Sequence, residues 1–161
     1  MNSNQQISRL PLAIAGVLGA IVLTAATLVE AGECPENKVT TDGQKAGAVA
    51  HSNVTEKLLG QIDLSKEKAA VVGHHFRMRR LEIQPGGEVA WHSHDDRPAL
   101  IYVVSGSVTE YASTCAVPIE HKAGDLSIEQ GGLSHWWKNN SKKAAVLISA
   151  DIAADPAQHG M

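Results

Sequence analysis

The sequence predicts an all-β protein, a small barrel or sandwich. Short runs rich in β-branched and aromatic residues follow one another at close spacing from Ala69 onward, with turn residues between them. Glycine is frequent, at 14 of 161 residues, which favours a turn-rich β protein over a helical bundle. The chain is long enough for one domain with a real core, and hardly for two.

The elements follow in order. "HHFRMRRLEI" reads as a strand leading into "QPGG" (84–87), a turn in which Pro fixes φ and Gly supplies unusual angles. "EVAWHSH" is the next strand and "DDRP" the next loop. "ALIYVVSGSVTEYA" (99–112) is a longer run that Gly106 breaks into a hairpin or a bend. "KAGD" turns into "LSIEQ", a double glycine turns into "LSHWWKN", and "AAVLISADI" (144–152) is an apolar closing strand. The domain thus runs over 69–152, with a loose tail over 153–161. Ahead of it, 32–68 reads as a polar arm, in which 52–66 could form a short helix capped by Ser52 or Asn53. Arg77, Arg79 and Arg80 do not sort onto one strand face, which suggests a bulge.

Residues 1–31 form a separate segment. "MNSNQQISR" carries one positive charge, Arg9; an uninterrupted apolar run follows, and polarity returns at "EAGECPEN". This is the layout of a secretory signal, with Val29 and Ala31 suited to a cut at Ala31–Gly32. The run is also near membrane-spanning length, so an uncleaved N-terminal anchor is the alternative. Either way the domain is expected to be exported, periplasmic or secreted, with membrane contact only through this segment. In an oxidising compartment Cys34 and Cys115 either pair or stay free; sequence does not decide which.

The net charge of −3 excludes bulk attraction to nucleic acid. No Ser or Cys stands in a nucleophile motif, and no phosphate-cradling glycine loop is present. The chemistry lies with the histidines. His92 and His94 are two apart, so on a regular strand they share a face with Glu88 and Ala90, while Trp91 and Ser93 point away. Two imidazoles on one face can share a metal ion. His135 sits on a later strand, and alternation turns Trp137 and Asn139 inward with it and Trp136 outward.

Two spacings connect these residues. The first is Gly86, five residues, His92-Ser93-His94, four residues, Ala99, six residues, Gly106. The second is Gly124, five residues, Gln130-Gly131-Gly132, two residues, His135, three residues, Asn139. Together they cover 86–139, and the pattern resembles the paired motifs of the cupin superfamily at every step. The resemblance implies a jelly-roll type β-barrel with a metal bound by His92, His94 and His135. It also implies a homodimer, since cupins commonly dimerise. Two positions depart from the pattern: Ala99 stands where the motif has a ligating Glu, and Gln130 where it has Pro.

Losing that Glu leaves three neutral imidazoles, which suit one divalent transition metal per chain, Fe(II) first, with Zn(II), Ni(II), Cu(II) or Co(II) as alternatives. Some cupin dioxygenases hold iron with three histidines only, so the resemblance keeps a metal in place. Ala99 would open space beside it. Asp96 or Asp95 could supply a carboxylate, although Pro98 puts them in a loop. Ala99, Ile101 and Val103 should face inward and Leu100, Tyr102 and Val104 outward, both faces being apolar enough to be covered, the outer one by a second subunit. Trp137 should wall a small-molecule cavity. Arg97 reads as a solvated or structural loop residue, with an anionic substrate as its alternative. Glu110, Tyr102 and Glu129 are acid–base candidates by vicinity alone, and His51, His74, His75, His121 and His159 read as ordinary histidines. Two function classes remain: a metal-dependent enzyme, a dioxygenase among them, acting on a small organic substrate, or a non-catalytic metal- or ligand-binding module.

Overall fold

The computed structural model describes residues 32–155, so the predicted signal or anchor and most of the predicted tail lie outside it. Eight strands form one antiparallel sheet that rolls into a nearly closed barrel. They are β1 (Ser52–Asp63), β2 (His74–Ser93), β3 (Ala99–Ser105), β4 (Ser107–Ala112), β5 (Ile119–Lys122), β6 (Leu126–Glu129), β7 (Ser134–Lys138) and β8 (Ala145–Ala154). The order is β5-β4-β7-β2-β8-β3-β6, with β1 also paired to β2.

β2 organises the barrel. Its first half pairs with β8, from His74↔Ala154 to Ile83↔Ala145, and its second half with β7, from Glu88↔Lys138. "QPGG" lies at the handover. It is not a turn, as local chemistry suggested, but a wide bulge inside one 20-residue strand. Bulges let a strand bend and change sheets at a barrel corner, and Gly86 supplies the φ of 75° the bend needs. Asn139 clamps the corner. Its backbone exchanges hydrogen bonds with Gly86 N–H (2.8 Å) and Gly87 O (2.9 Å), and its buried Nδ2 donates to Ile83 O (2.8 Å).

The short helix expected over 52–66 is instead strand β1, followed by a single 3-10 turn at Leu64–Lys66. Ser52 and Asn53 look like caps in isolation, but pairing along β2 overrides the local signal. Asn53 takes a φ of 50° opposite the corner bulge, and Gly60 sits at a second register shift. Arg77 and Arg79 turn inward and Arg80 outward by plain alternation: β2 pairs with β8 without a break there, so no bulge is needed. The predicted tail begins too early, because β8 continues through Ala153 and Ala154 opposite His75 and His74.

Gly106 divides the 99–112 run as expected. An added Cβ there would lie 2.7 Å from Ala144 O, so glycine is required for closeness as well as for its φ of 79°. The main core gathers Ile83, Val89, Val103, Val108, Trp137, Ala145 and Leu147. A second cluster, around Ala112, Ile119 and Leu133, surrounds the Cys34–Cys115 disulfide. That bond pins the start of the arm, which continues over the barrel through Val39↔Cys115, Thr40 N–H to Thr114 O and Gly43 N–H to Ser113 O. Among the described residues no helix is long and apolar enough to cross a membrane.

Candidate metal centre

β2 and β7 bring the histidines together. His92 lies directly opposite His135 in the register, and His94 follows two residues on. The register shifts between Val89 and His92, where β2 carries one residue more than β7. That bulge re-aims the strand, so Val89 is buried and joins Ala90, His92 and His94 along the cavity, while Glu88, expected on the same face, does not. Glu88 instead bonds Lys138 (2.9 Å), and Trp91, expected to point away, borders the cavity.

The three Nε2 atoms converge: His135 to His94 at 3.1 Å and His135 to His92 at 3.2 Å. A fourth group joins them. Glu129 on β6 places Oε2 3.0 Å from His94 Nε2 and Oε1 3.5 Å from His135 Nε2. The donor atoms of His92, His94, Glu129 and His135 all lie within 4.8 Å of one another, so the cluster could hold a metal ion. Asp95 and Asp96 remain exposed in their loop, where Asp95 accepts from the Ser93 hydroxyl at 3.1 Å.

The far side of each ring fixes its tautomer. His92 Nδ1 donates to Ala90 O (2.8 Å), His94 Nδ1 to Arg97 O (2.7 Å) and His135 Nδ1 to Glu110 Oε1 (2.6 Å). A carbonyl can only accept, so Nδ1 of His92 and of His94 carries the proton. At His135 the short contact to the ionised Glu110 assigns the same tautomer over the longer approach of Trp137 Nε1–H (3.2 Å), and the neutral rings turn lone pairs inward. Three nitrogen lone pairs and a buried carboxylate then face one another. Glu129 Oε1 has no hydrogen-bond partner among the described residues. Burying such acceptors against each other is costly without a cation between them, so the donor set fits a metal. The His92 ring is held neutral: burial, then the neighbouring His135, Arg97 and His94, push its pKa down to about 3.

Glu110 on β4 and His121 on β5 extend the cluster outward. Glu110 Oε2 accepts from His121 Nε2 at 2.8 Å while Oε1 holds His135. Burial would raise the Glu110 carboxyl, but the hydrogen bonds from His121 and His135 outweigh it and hold the pKa at about 2. His121 is therefore not an ordinary histidine. Its Nδ1 is buried without a partner among the described residues, and its ring stacks on Trp137 at 4.6 Å. Trp137, buried beside His135, borders a cavity of about 290 Å³ that opens against His92, His94 and Glu129. Tyr102, the other acid–base candidate, is exposed on the outer face.

Residues 79–151 match the family described as the Cupin domain. That stretch is a cupin domain. Solved structures agree on the fold. A predicted oxalate decarboxylase from Thermotoga maritima is 17% identical, with 71% of this chain and 96% of that one covered at a TM-score of 0.51. The polyketide cyclase RemF from Streptomyces resistomycificus is 17% identical over 74% and 80% of the two chains, at 0.50. A Klebsiella pneumoniae protein with a double-stranded β-helix domain is 19% identical over 66% and 90%, also at 0.50. No curated protein matches the chain.

Within this cupin, Ala99 leaves no gap. It pairs directly with Glu129 across β3 and β6, so the two share an inward face, and the carboxylate comes from the neighbouring strand. Arg97, expected to be solvated, is half-buried and lines the cavity.

Proposed function

We propose that this is an exported cupin that holds one divalent transition metal at His92, His94, His135 and Glu129. Its substrate would be a small organic molecule in the adjoining cavity, and iron(II) with dioxygen is the first pairing to test. One observation carries this reading: three inward lone pairs and a buried carboxylate converge while every Nδ1 proton points outward. Three nitrogens and one oxygen suit Fe(II), Zn(II), Ni(II), Cu(II) or Co(II), and an octahedral ion so held keeps positions for substrate. A bound redox-active ion would supply oxygen chemistry, and a redox-inert one would polarise a substrate oxygen. The chain's own part is orientation and exclusion of water: Glu110 fixes the His135 ring, and Trp137 and Leu147 present an apolar wall. Export is supported by the N-terminal signal pattern and by the Cys34–Cys115 disulfide, which suits an oxidising compartment.

One observation favours a non-catalytic binding module instead. The cavity's carboxylate outside the cluster, Glu56, is occupied by Arg79 at 3.1 Å, and His51 at the cavity edge is exposed and accepts at Nδ1 from the Ala90 N–H (3.1 Å). Metal content of the full chain, purified without an affinity tag, tests the main reading, with His92→Ala in parallel. Near-stoichiometric iron that the substitution removes, followed by oxygen uptake with a substrate panel, supports the enzyme. Failure to retain any of the five ions after loading refutes the metal centre.

A further inference from the structure

The same cavity is bordered by Arg97, a guanidinium that meets no hydrogen-bond acceptor among the described residues. Asp151, whose side chain is fully buried on β8, accepts from Arg77 (Nε 3.1 Å, a terminal nitrogen 2.8 Å) and from Arg79 (2.8 Å). Arg79 also bonds Glu56 (3.1 Å) and Ser149 Oγ (3.2 Å). Arg97 stands third in line, 3.7 Å from the same Asp151 oxygen, beyond hydrogen-bond distance. The Asp151 and Glu56 oxygens are thus taken up by Arg77 and Arg79, and Arg97 keeps its N–H donors unengaged among the described residues. Glu129 does not engage them: its oxygens face His94 and His135, and it forms no ion pair with Arg97 among the described residues. Arg79 adds a buried Nε–H without a partner among the described residues. A half-buried guanidinium without hydrogen-bond acceptors is costly unless an anion arrives to meet it.

We propose that the cavity takes a small molecule bearing one carboxylate, which Arg97 binds with help from the Arg79 Nε–H. The rest of the ligand lies against Leu81, Ile101, Leu147 and Trp137 and reaches toward the histidine cluster. This deepens the proposed function by naming its substrate class, and it stands on the arginines rather than on the metal. Arg97 carries a single charge, and a guanidinium fork matches a planar carboxylate in two parallel hydrogen bonds. A phosphate dianion would bring one negative charge more than Arg97 meets. The apolar lining selects against fully hydrated inorganic ions.

Trp91 and Trp137 both border the cavity, so intrinsic fluorescence reports occupancy. Acetate, butyrate and benzoate would be titrated into the full-length protein, each against its uncharged amide, with both EDTA-treated and zinc-reconstituted samples. Metal content is measured on the same samples. The expected result is a saturable response to at least one carboxylate and none to its amide. Arg97→Gln should weaken that response by about tenfold or more, as loss of a charge-assisted hydrogen bond does. Arg97→Lys should retain part of it, with circular dichroism confirming that both variants fold. Equal binding of acid and amide, no binding by any of the three acids, or an unchanged Arg97→Gln titration would overturn the proposal. Equal competition by inorganic phosphate would overturn the carboxylate assignment. Carboxylate binding without zinc retention would sink the metal reading and leave this one standing; zinc retention without carboxylate binding would do the reverse.

Discussion

Ala99 and Glu129 face each other across β3 and β6, and the carboxylate at 129 reaches the histidines from the strand beside the one that cupin spacing designates. Directly opposed residues of an antiparallel pair share a face with Cβ atoms about 5 Å apart, close enough for one side chain to serve for the other. If Glu129 is a ligand, Glu129→Ala should lower zinc affinity by at least the 10- to 100-fold that outer-shell losses typically cost. Ala99→Glu in the same chain should restore part of it, because the new carboxylate enters the space just vacated. Ala99→Glu alone should lower the melting temperature, since it adds volume and a second carboxylate to a buried site. Competition titrations with a zinc chelator measure the first two effects; no rescue by the double variant would argue against interchangeable positions.

Glu110 touches no substrate space, yet it sets the His135 tautomer from behind. Glu110→Gln keeps the shape and removes the charge, and an amide can donate to His135 Nδ1 as well as accept from it. The expected loss is about 10- to 100-fold in metal affinity with near-native circular dichroism. Unchanged affinity would reduce Glu110 to a packing role.

Much of this was legible in the chain because motif spacing fixes where His92, His94 and His135 fall relative to the barrel corners. Period-two alternation likewise placed Ala99, Ile101 and Val103 inside and Leu100, Tyr102 and Val104 outside. What escaped depends on register between distant strands. Nothing local marks Glu129 as the partner of position 99, since that follows from how β6 lies on β3. "QPGG" carries turn chemistry, but pairing of the flanking residues holds it as a bulge inside one strand. Asp151 falls in a run, 144–152, that reads simply as an apolar closing strand. A usable signal did exist: Arg77 and Arg79 are two apart and must share a face, and Ser149 and Asp151 are also two apart, so the two strands could be matched by charge.

Acid should destabilise the metal-free protein in two overlapping stages. His92 titrates near 3 in the fold against 6.5 when unfolded, so between those values the unfolded chain binds a proton that the native state refuses. Stability therefore falls as pH drops below 6.5. Glu110 acts in the same sense lower down: its contribution is complete above 4.5 and lost as pH falls through about 2. Melting temperatures of EDTA-treated protein should decline steadily from pH 7 to pH 4. In His92→Gln the decline between 6.5 and 4.5 should be shallower, and an identical profile would show that His92 does not contribute to it.

Among the described residues nothing covers the outer face of the sheet where β6, β3, β8 and β2 lie side by side. Cross-strand register aligns Ile128, Leu100, Ala150 and Met78 in one row from β6 to β2, with Leu126, Tyr102 and Ile148 beside it. Ile128 is 58% exposed, and Leu100, Tyr102, Leu126 and Met78 are nearly as open. Monomeric proteins seldom present contiguous apolar areas of more than a few hundred Å². A face without charge in its centre suits a second copy of itself better than a charged partner, which is the homodimer we expect. Leu100→Lys with Ile128→Lys would bury four like charges in such an interface while leaving the inward face untouched. Light scattering should then report a dimer for the natural sequence and a monomer for the variant, with the histidine cluster still binding zinc. A monomeric natural protein at tens of micromolar would rule the dimer out and leave the face open for another surface.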